Sequence, residues 1–246
     1  MIASLPMYDT ATTQGANDRF WTLIRNQLGY GPQELDRTSD LQSTWTDPKL
    51  LLSQTCGLPY RSRLHGRVAL VGTPDYGVRG CPPGYYKSYI VVRKSDPRRH
   101  LEAFKGARLA RNDIGSQSGW AAVEGHLKDH DMGFSFRNNV LDTGSHATSS
   151  LAVISGGADI ASIDAVTWTL LKRETSISGH LRVLLSTRPT PGLPLISKLG
   201  NNTDNLFRAV TCAINTLTRR DKARLLVKDL IAIPADTYLA EPLPPM

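Results

Sequence analysis

The sequence contains little cysteine and no long apolar segment. Its three cysteines, Cys56, Cys81 and Cys212, are widely spaced and include no Cys-x-x-Cys pair, which argues against a structural zinc site and a disulfide framework. No run of about 18 consecutive apolar residues occurs, so the sequence predicts no transmembrane helix. Residues 1–9 have neither the basic nor the apolar part of a signal peptide. We expect three free thiols and no export signal within this chain.

Long runs of one charge are also missing, although the formal net charge is +7. The basic residues stand in short groups such as 98–99, 172–173 and 219–222, with carboxylates nearby, as on solvated helix faces. No zinc-finger spacing and no aromatic RNA-binding motif accompanies them, so we expect no nucleic-acid partner. The excess of positive charge favours anionic partners by long-range attraction.

Short apolar runs alternate with segments of helical spacing along the chain. Runs bounded by turn residues, as buried strands are, lie at 2–7, 50–52, 68–72, 89–92, 107–110, 159–163 and 181–185. Helical spacing marks residues 16–28, 146–154, 165–172 and 206–217, and a further helix begins near residue 118. This alternation predicts an α/β fold built from βαβ units, with mostly parallel sheets.

One strand-to-helix turn is rich in serine and glycine. Ser116, Gln117, Ser118 and Gly119 follow a predicted strand and precede a predicted helix. Backbone N–H groups and serine hydroxyls at such a turn converge on a negative ligand, and the helix dipole adds to the attraction. In the alternative interpretation, Ser116 or Ser118 only caps its own helix.

A second turn of this kind carries a histidine. Residues 142–147 lie between a predicted strand and a helix whose first turn contains His146, and an imidazole there can donate to an oxyanion. A surface or capping histidine is the alternative. Since ligands of open α/β sheets bind at the carboxyl ends of strands, two such turns in adjacent units support each other.

Further polar residues stand at predicted strand ends. Thr55 and Cys56 follow the strand at 50–52, Tyr85 precedes the strand at 89–92, and Asp164 closes the strand at 159–163. Each has a simpler alternative: polar residues of a turn for Thr55 and Cys56, packing for Tyr85, and capping of the next helix for Asp164.

Several of these motifs occur in one order, and that order resembles a known family. The series is Gly84-Tyr85-Tyr86, Asp96-Pro97, Phe104-Lys105-Gly106, Ser116-Gln117-Ser118-Gly119, Gly144-Ser145-His146-Ala147 and Gly156-Gly157-Ala158-Asp159-Ile160-Ala161. It is similar to the phosphonate, phosphite and phosphate solute-binding proteins, which are receptors of ABC importers. The likeness is collinear from about residue 50 to about residue 196.

The resemblance implies the type II periplasmic-binding-protein fold, in which two α/β lobes close on a ligand. The first lobe would comprise residues 1–88 and 184–246, and the second residues 89–183. Two crossover strands, near 88–93 and 181–187, would join them. Each lobe would contain a mostly parallel sheet flanked by helices.

The resemblance also implies a function, namely capture of a small oxyanion as the receptor of an importer. A small anionic ligand and a membrane permease would be the partners, and the location would be periplasmic. The family's oxyanion-binding residues correspond here to Ser116, Gln117, Ser118, Gly119, Tyr85 and His146. We expect a monomer without cofactor or metal, and the missing signal peptide keeps a cytoplasmic location open.

The other end of the ligand is less well matched. Relatives that bind aminoalkylphosphonates hold the amine with carboxylates, and Asp164 is the one acidic residue at a corresponding position. The resemblance therefore favours a smaller oxyanion or one with an uncharged tail.

An enzyme or a cytoplasmic ligand sensor that uses the same cleft is the alternative function. In the enzyme, Cys56 would be the nucleophile and His146 the base. The sequence has no nucleophile elbow, no Walker loop and no HExxH zinc motif, and no third group orients the pair. We therefore expect a binding protein and not an enzyme.

Overall fold

The computed structural model describes residues 1–245. Its α-helices are α1 (Gln14–Leu28), α2 (Leu41–Trp45), α3 (Gly57–Pro59), α4 (Ala122–Asp129), α5 (His146–Ser155), α6 (Ala165–Glu174), α7 (Thr203–Thr216), α8 (Arg219–Leu225) and α9 (Ala235–Leu239). Its strands are β1 (Ile2–Ser4), β2 (Leu50–Gln54), β3 (Val68–Asp75), β4 (Tyr85–Tyr86), β5 (Ser88–Arg93), β6 (Leu109–Arg111), β7 (Val140–Asp142), β8 (Ile160–Asp164), β9 (Leu181–Ser186), β10 (Thr190–Pro191), β11 (Leu195–Lys198) and β12 (Asp229–Ile231). Wider π-helical turns cover Tyr60–Leu64 and Gln117–Ala121, and tighter 3₁₀ turns cover Leu101–Phe104 and Ile177–His180.

The chain divides into two compact units. Unit 1 contains residues Met1–Tyr85 and Pro191–Ala240, and unit 2 contains Tyr86–Thr190 together with residues 241–245. The strands expected as crossovers, β5 and β9, both belong to the sheet of unit 2. The lobe boundaries at 88/89 and 183/184 stay a prediction.

Unit 1 is built on a five-stranded sheet with the order β1-β2-β11-β3-β12. Strands β1 and β2 run parallel, whereas β11 is antiparallel to both of its neighbours and β12 is antiparallel to β3. Helix α7 packs on β3 and β12, and α1 packs against α7; apolar residues of both, spaced at three and four residues, join the core of the unit. Their buried residues include Phe20, Trp21, Ile24, Leu206, Val210 and Ile214.

Unit 2 is built on a second five-stranded sheet, with the order β7-β6-β8-β5-β9. Strand β6 pairs in parallel with both β7 and β8, whereas β5 is antiparallel to β8 and β9. Its core joins strand residues Ile90, Leu109 and Ile160 to Trp120 and Val123 of the segment that includes α4. The parallel strands therefore lie at one side of this sheet, where each is followed by a helix.

These sheets confirm the α/β class, and each combines strands that share one direction with strands of opposite direction. Both are mixed, because β11 and β5 each run antiparallel to two neighbours. An apolar run shows that a strand is buried but does not show its direction. Strands β11 and β12 were not predicted, since each is at most four residues long.

Within residues 1–245, no helix combines the length and the apolar character that crossing a bilayer requires.

The core of unit 2 should depend on Leu109. Its side chain is fully buried, and we expect Leu109→Ala to lower the free energy of unfolding by about 2–5 kcal/mol, through lost burial and a residual cavity. Leu151→Ala, at a leucine that is 50% exposed, is the matched control and should change stability by less than about 0.5 kcal/mol. Urea denaturation measures both, and equal effects would contradict this core assignment.

Candidate functional site

The register of β6 and β7 brings the two predicted site turns together. These strands pair in parallel, with Arg111 opposite Asp142, so their carboxyl ends lie at the same edge of the sheet. Beyond the strands, the Thr143 N–H donates to the Arg111 carbonyl at 2.9 Å, and the Gly144 N–H donates to the Asn112 carbonyl at 3.0 Å. The loops that carry the 116–119 turn and His146 are therefore joined by backbone hydrogen bonds.

An ion pair holds the same two strand ends. The Arg111 guanidinium donates to both carboxylate oxygens of Asp142, at 2.6 and 3.1 Å, and its carbon lies 4.7 Å from the centre of the Trp120 ring. Because this cation already has an anionic partner, it adds little net positive charge at the turn.

Ser116 begins the helical segment after β6. Its hydroxyl accepts a hydrogen bond from the Gly119 N–H at 2.9 Å, so Ser116 caps its own helix, as the alternative interpretation expects. Gln117, the next residue, is buried in the first turn. This segment runs on into α4, and its first N–H groups have no intrahelical acceptor.

Ser118 has a different role from Ser116. Its Oγ lies 2.9 Å from His146 Nε2, so the structure brings these two predicted residues into direct contact. Its carbonyl accepts hydrogen bonds from the hydroxyls of Ser88, at 3.0 Å, and Ser162, at 2.5 Å. Both serines lie on neighbouring strands of the sheet, so they fix the backbone of Ser118 against β5 and β8.

Gly119 packs closely against the side chain of Asn112. A Cβ at this position would lie 1.9 Å from Oδ1 of Asn112 and 3.1 Å from Oγ of Ser116. The absence of a side chain therefore lets the loop after β6 fold tightly over the start of the helical turn.

His146 is the first residue of α5. Ser145 caps this helix by accepting from the Thr148 N–H at 3.0 Å, and Gly144 has the positive φ of 81° that the preceding turn needs. Burial lowers the pKa of His146 to about 4, and the backbone of Ser162 opposes part of this shift. The imidazole is therefore neutral near pH 7.

Several buried polar atoms around these turns have no hydrogen-bond partner within residues 1–245. They are Asn112 Oδ1, Trp120 Nε1 and His146 Nδ1. Sequence reasoning missed Asn112, since nothing in its type marks it as buried. It also missed Ser88 and Ser162. A serine inside an otherwise apolar strand could have indicated them, because a buried hydroxyl needs a hydrogen-bond partner.

Asp164 lies at the carboxyl end of β8, as predicted, and is 2% exposed. Its Oδ1 accepts from the Thr167 N–H at 2.8 Å, so it caps α6. A role for Asp164 in ligand binding stays a prediction.

The remaining predicted residues belong to unit 1. Thr55 is fully buried, Cys56 is a partly buried cysteine at the start of α3, and Tyr85 packs against an apolar cluster that contains Trp45. Their predicted roles in ligand binding also stay predictions. No group of three or more His, Cys, Asp or Glu side chains that could hold a metal ion occurs among residues 1–245.

Comparison with known proteins points to one family. The family model described as "ABC transporter, phosphonate, periplasmic substrate-binding protein" matches residues 56–236. No curated protein matches the whole sequence significantly.

Solved structures of similar fold cover nearly the whole chain. PhnD1 from Prochlorococcus marinus, solved in complex with methylphosphonate, has a TM-score of 0.74 at 16% identity, with 96% of this chain and 94% of that chain covered. A binding protein component of an ABC phosphonate transporter from Pseudomonas aeruginosa has a TM-score of 0.73 at 17% identity, with coverages of 97% and 82%. A Xanthomonas citri protein bound to chloride ion has a TM-score of 0.72 at 13% identity, with coverages of 96% and 92%. These likenesses confirm the predicted type II periplasmic-binding-protein fold.

Gly119→Ala should destabilise the protein by about 1–3 kcal/mol, because the new methyl group overlaps Asn112 Oδ1. Asn112→Ala in the same chain should restore most of this loss by removing the overlapping atom. Gly125→Ala in α4 is the control: its methyl group meets nothing within 4 Å, and it should stabilise by up to about 1 kcal/mol. Thermal denaturation of the parent protein, the two glycine variants and the double variant measures these effects. If Asn112→Ala fails to restore stability, the packing account is contradicted.

His146 should stay neutral well below pH 6. The unfolded chain binds the proton first, so this residue should make stability fall as pH drops from 6.5 towards about 4. An NMR titration of its ring should give a midpoint near 4. His146→Gln should reduce the slope of stability against pH in that range, and a midpoint near 6.5 would contradict the burial of the ring.

Proposed function

The chain belongs to the periplasmic substrate-binding proteins of phosphonate ABC transporters, and we propose that its 116–119 turn and His146 bind a phosphonate- or phosphate-like oxyanion. Proteins of this family are receptors of importers and not enzymes, which confirms the predicted class of function. A small ligand and a membrane permease follow from that class as partners.

The contact between Ser118 and His146 is the observation that carries the proposal. The hydroxyl and the imidazole, 2.9 Å apart, come from two different strand-to-helix turns. Both groups are neutral, and because one donates to the other, one proton of the pair remains for a ligand; the N–H groups that begin the helical segment lie beside them. Hydrogen bonds to a charged acceptor are strong, so neutral donors held in place can bind an oxyanion without a buried countercharge.

The surrounding charges support an oxyanion that carries no amine. The carboxylate of Asp142 is paired with Arg111, and one oxygen of Asp164 accepts from the Thr167 N–H. An ammonium group would have to compete for oxygens that already stabilise the strand end and the start of α6. We therefore propose an alkylphosphonate, phosphite or phosphate in preference to an aminoalkylphosphonate.

The setting of the protein follows from the same proposal. The family is periplasmic, and we infer a periplasmic location for this chain. We further infer that it acts as a monomer. We also infer that it binds no nucleic acid, since its basic residues are dispersed among carboxylates. The enzyme with Cys56 as nucleophile is set aside, because the family consists of receptors.

A thermal-shift series tests the proposed ligand class. Methylphosphonate, phosphite, phosphate, sulfate and 2-aminoethylphosphonate are each added to the purified protein. A ligand at about 100 times its Kd stabilises the folded state by about 2.7 kcal/mol, so the Tm should rise by roughly 5–10 °C with at least one of the first three. Sulfate and 2-aminoethylphosphonate should give smaller shifts.

Ser118→Ala should weaken this binding by about 10- to 100-fold, because it removes a hydrogen bond to a charged ligand. Ser155→Ala, at an exposed serine near the end of α5, is the matched control and should bind like the parent protein. No shift with any oxyanion, or an equal shift in Ser118→Ala, would overturn the proposal.

A further inference from the structure

Two histidines lie one helical turn apart at the carboxyl end of α4. His126 is within the helix, and His130, four positions further on, is its C-cap residue, so their side chains are neighbours. Their ring centres are 4.1 Å apart, with an angle of 34° between the planes. Two neighbouring imidazoles at this spacing are an arrangement that can chelate a transition metal ion.

The tautomer of His130 favours coordination. Its Nδ1 lies 2.9 Å from the carbonyl oxygen of His126. A carbonyl can only accept, so Nδ1 carries the proton and Nε2 keeps its lone pair. A hydrogen bond from one ring nitrogen to a backbone carbonyl also orients the ring, as it does in many metal-binding histidines.

The helix dipole and one carboxylate beside the pair suit a cation. His126 and His130 lie at the carboxyl end of α4, where the helix dipole is negative. The Glu102 carboxylate lies close enough to interact electrostatically with His126, and it would attract a metal ion. Asp129 contributes less, because its carboxylate accepts a hydrogen bond from the Arg188 guanidinium at 2.9 Å.

The helix end that carries His130 is well fixed. The Met132 N–H donates to the Leu127 carbonyl at 3.0 Å, and the Asp131 N–H donates to the Lys128 carbonyl at 3.1 Å. Asp131 has a φ of 49°, so the chain closes the helix with a left-handed residue directly after His130. The backbone geometry of the pair is therefore set before any ion binds.

We propose that His126 and His130 form a two-imidazole binding site for a divalent transition metal ion such as Ni²⁺, Cu²⁺ or Zn²⁺. Imidazole nitrogen suits these ions, and water completes the coordination, because no third His, Cys, Asp or Glu side chain joins the pair in residues 1–245. This site is separate from the 116–119 turn and departs from the sequence expectation of no metal site.

Titration of the untagged, chelator-treated protein with Ni²⁺ tests the proposal. Ni²⁺ is the probe because Cu²⁺ also oxidises thiols, and the chain contains cysteine. Calorimetry should find one ion per chain. His126→Ala and His130→Ala should each weaken binding by about tenfold or more, and the double substitution should add little, since either change already ends the chelation. His180→Ala is the matched control and should bind like the parent protein.

A second measurement keeps the test independent of folding defects in the variants. Paramagnetic Ni²⁺ added to the unsubstituted protein should broaden the NMR ring signals of His126 and His130 first, before those of His65, His100, His146 and His180. Equal broadening of all six histidine signals, or unchanged affinity in both single variants, would overturn the proposal.

Discussion

Strands β6 and β7 run parallel with Arg111 opposite Asp142, and the geometry of the proposed oxyanion site depends on that register. A shift by one residue would turn every side chain of one strand to the other face of the sheet. It would also break the bonds from Thr143 and Gly144 to the neighbouring loop. The ion pair and these backbone bonds keep the two turns at a fixed separation, and the contact between Ser118 and the histidine of α5 follows from it.

The site gains its polarity from neutral groups that the sheet holds in place. Two strand serines donate to the carbonyl of Ser118, and the Ser116 hydroxyl accepts from the Gly119 N–H, so these bonds fix the backbone of the turn. His146 remains uncharged because burial lowers its pKa to about 4. The net charge of +7 favours anions at long range, whereas in the proposed binding mode Ser118 and His146 would select among them at short range.

Local patterns in the sequence predicted the α/β class and the two turns, because a strand followed by Gly, Ser and a helix is encoded in adjacent residues. Ser118 and His146 were found in this way. The direction of β5 and β11 was not predictable, since it depends on distant partners. Asn112 was missed for the same reason: the burial of its Oδ1 follows from packing against Gly119, which no spacing rule reveals.

The most direct test of the central claim is a two-dimensional ¹H–¹⁵N NMR titration of the labelled protein with methylphosphonate. The account predicts that the amide signals of Ser118 and Gly119 and the ring signals of His146 shift together and saturate with one common Kd. Saturating shifts confined to residues away from both turns would contradict it, because binding would then occur without the donors that the parallel strands hold in place.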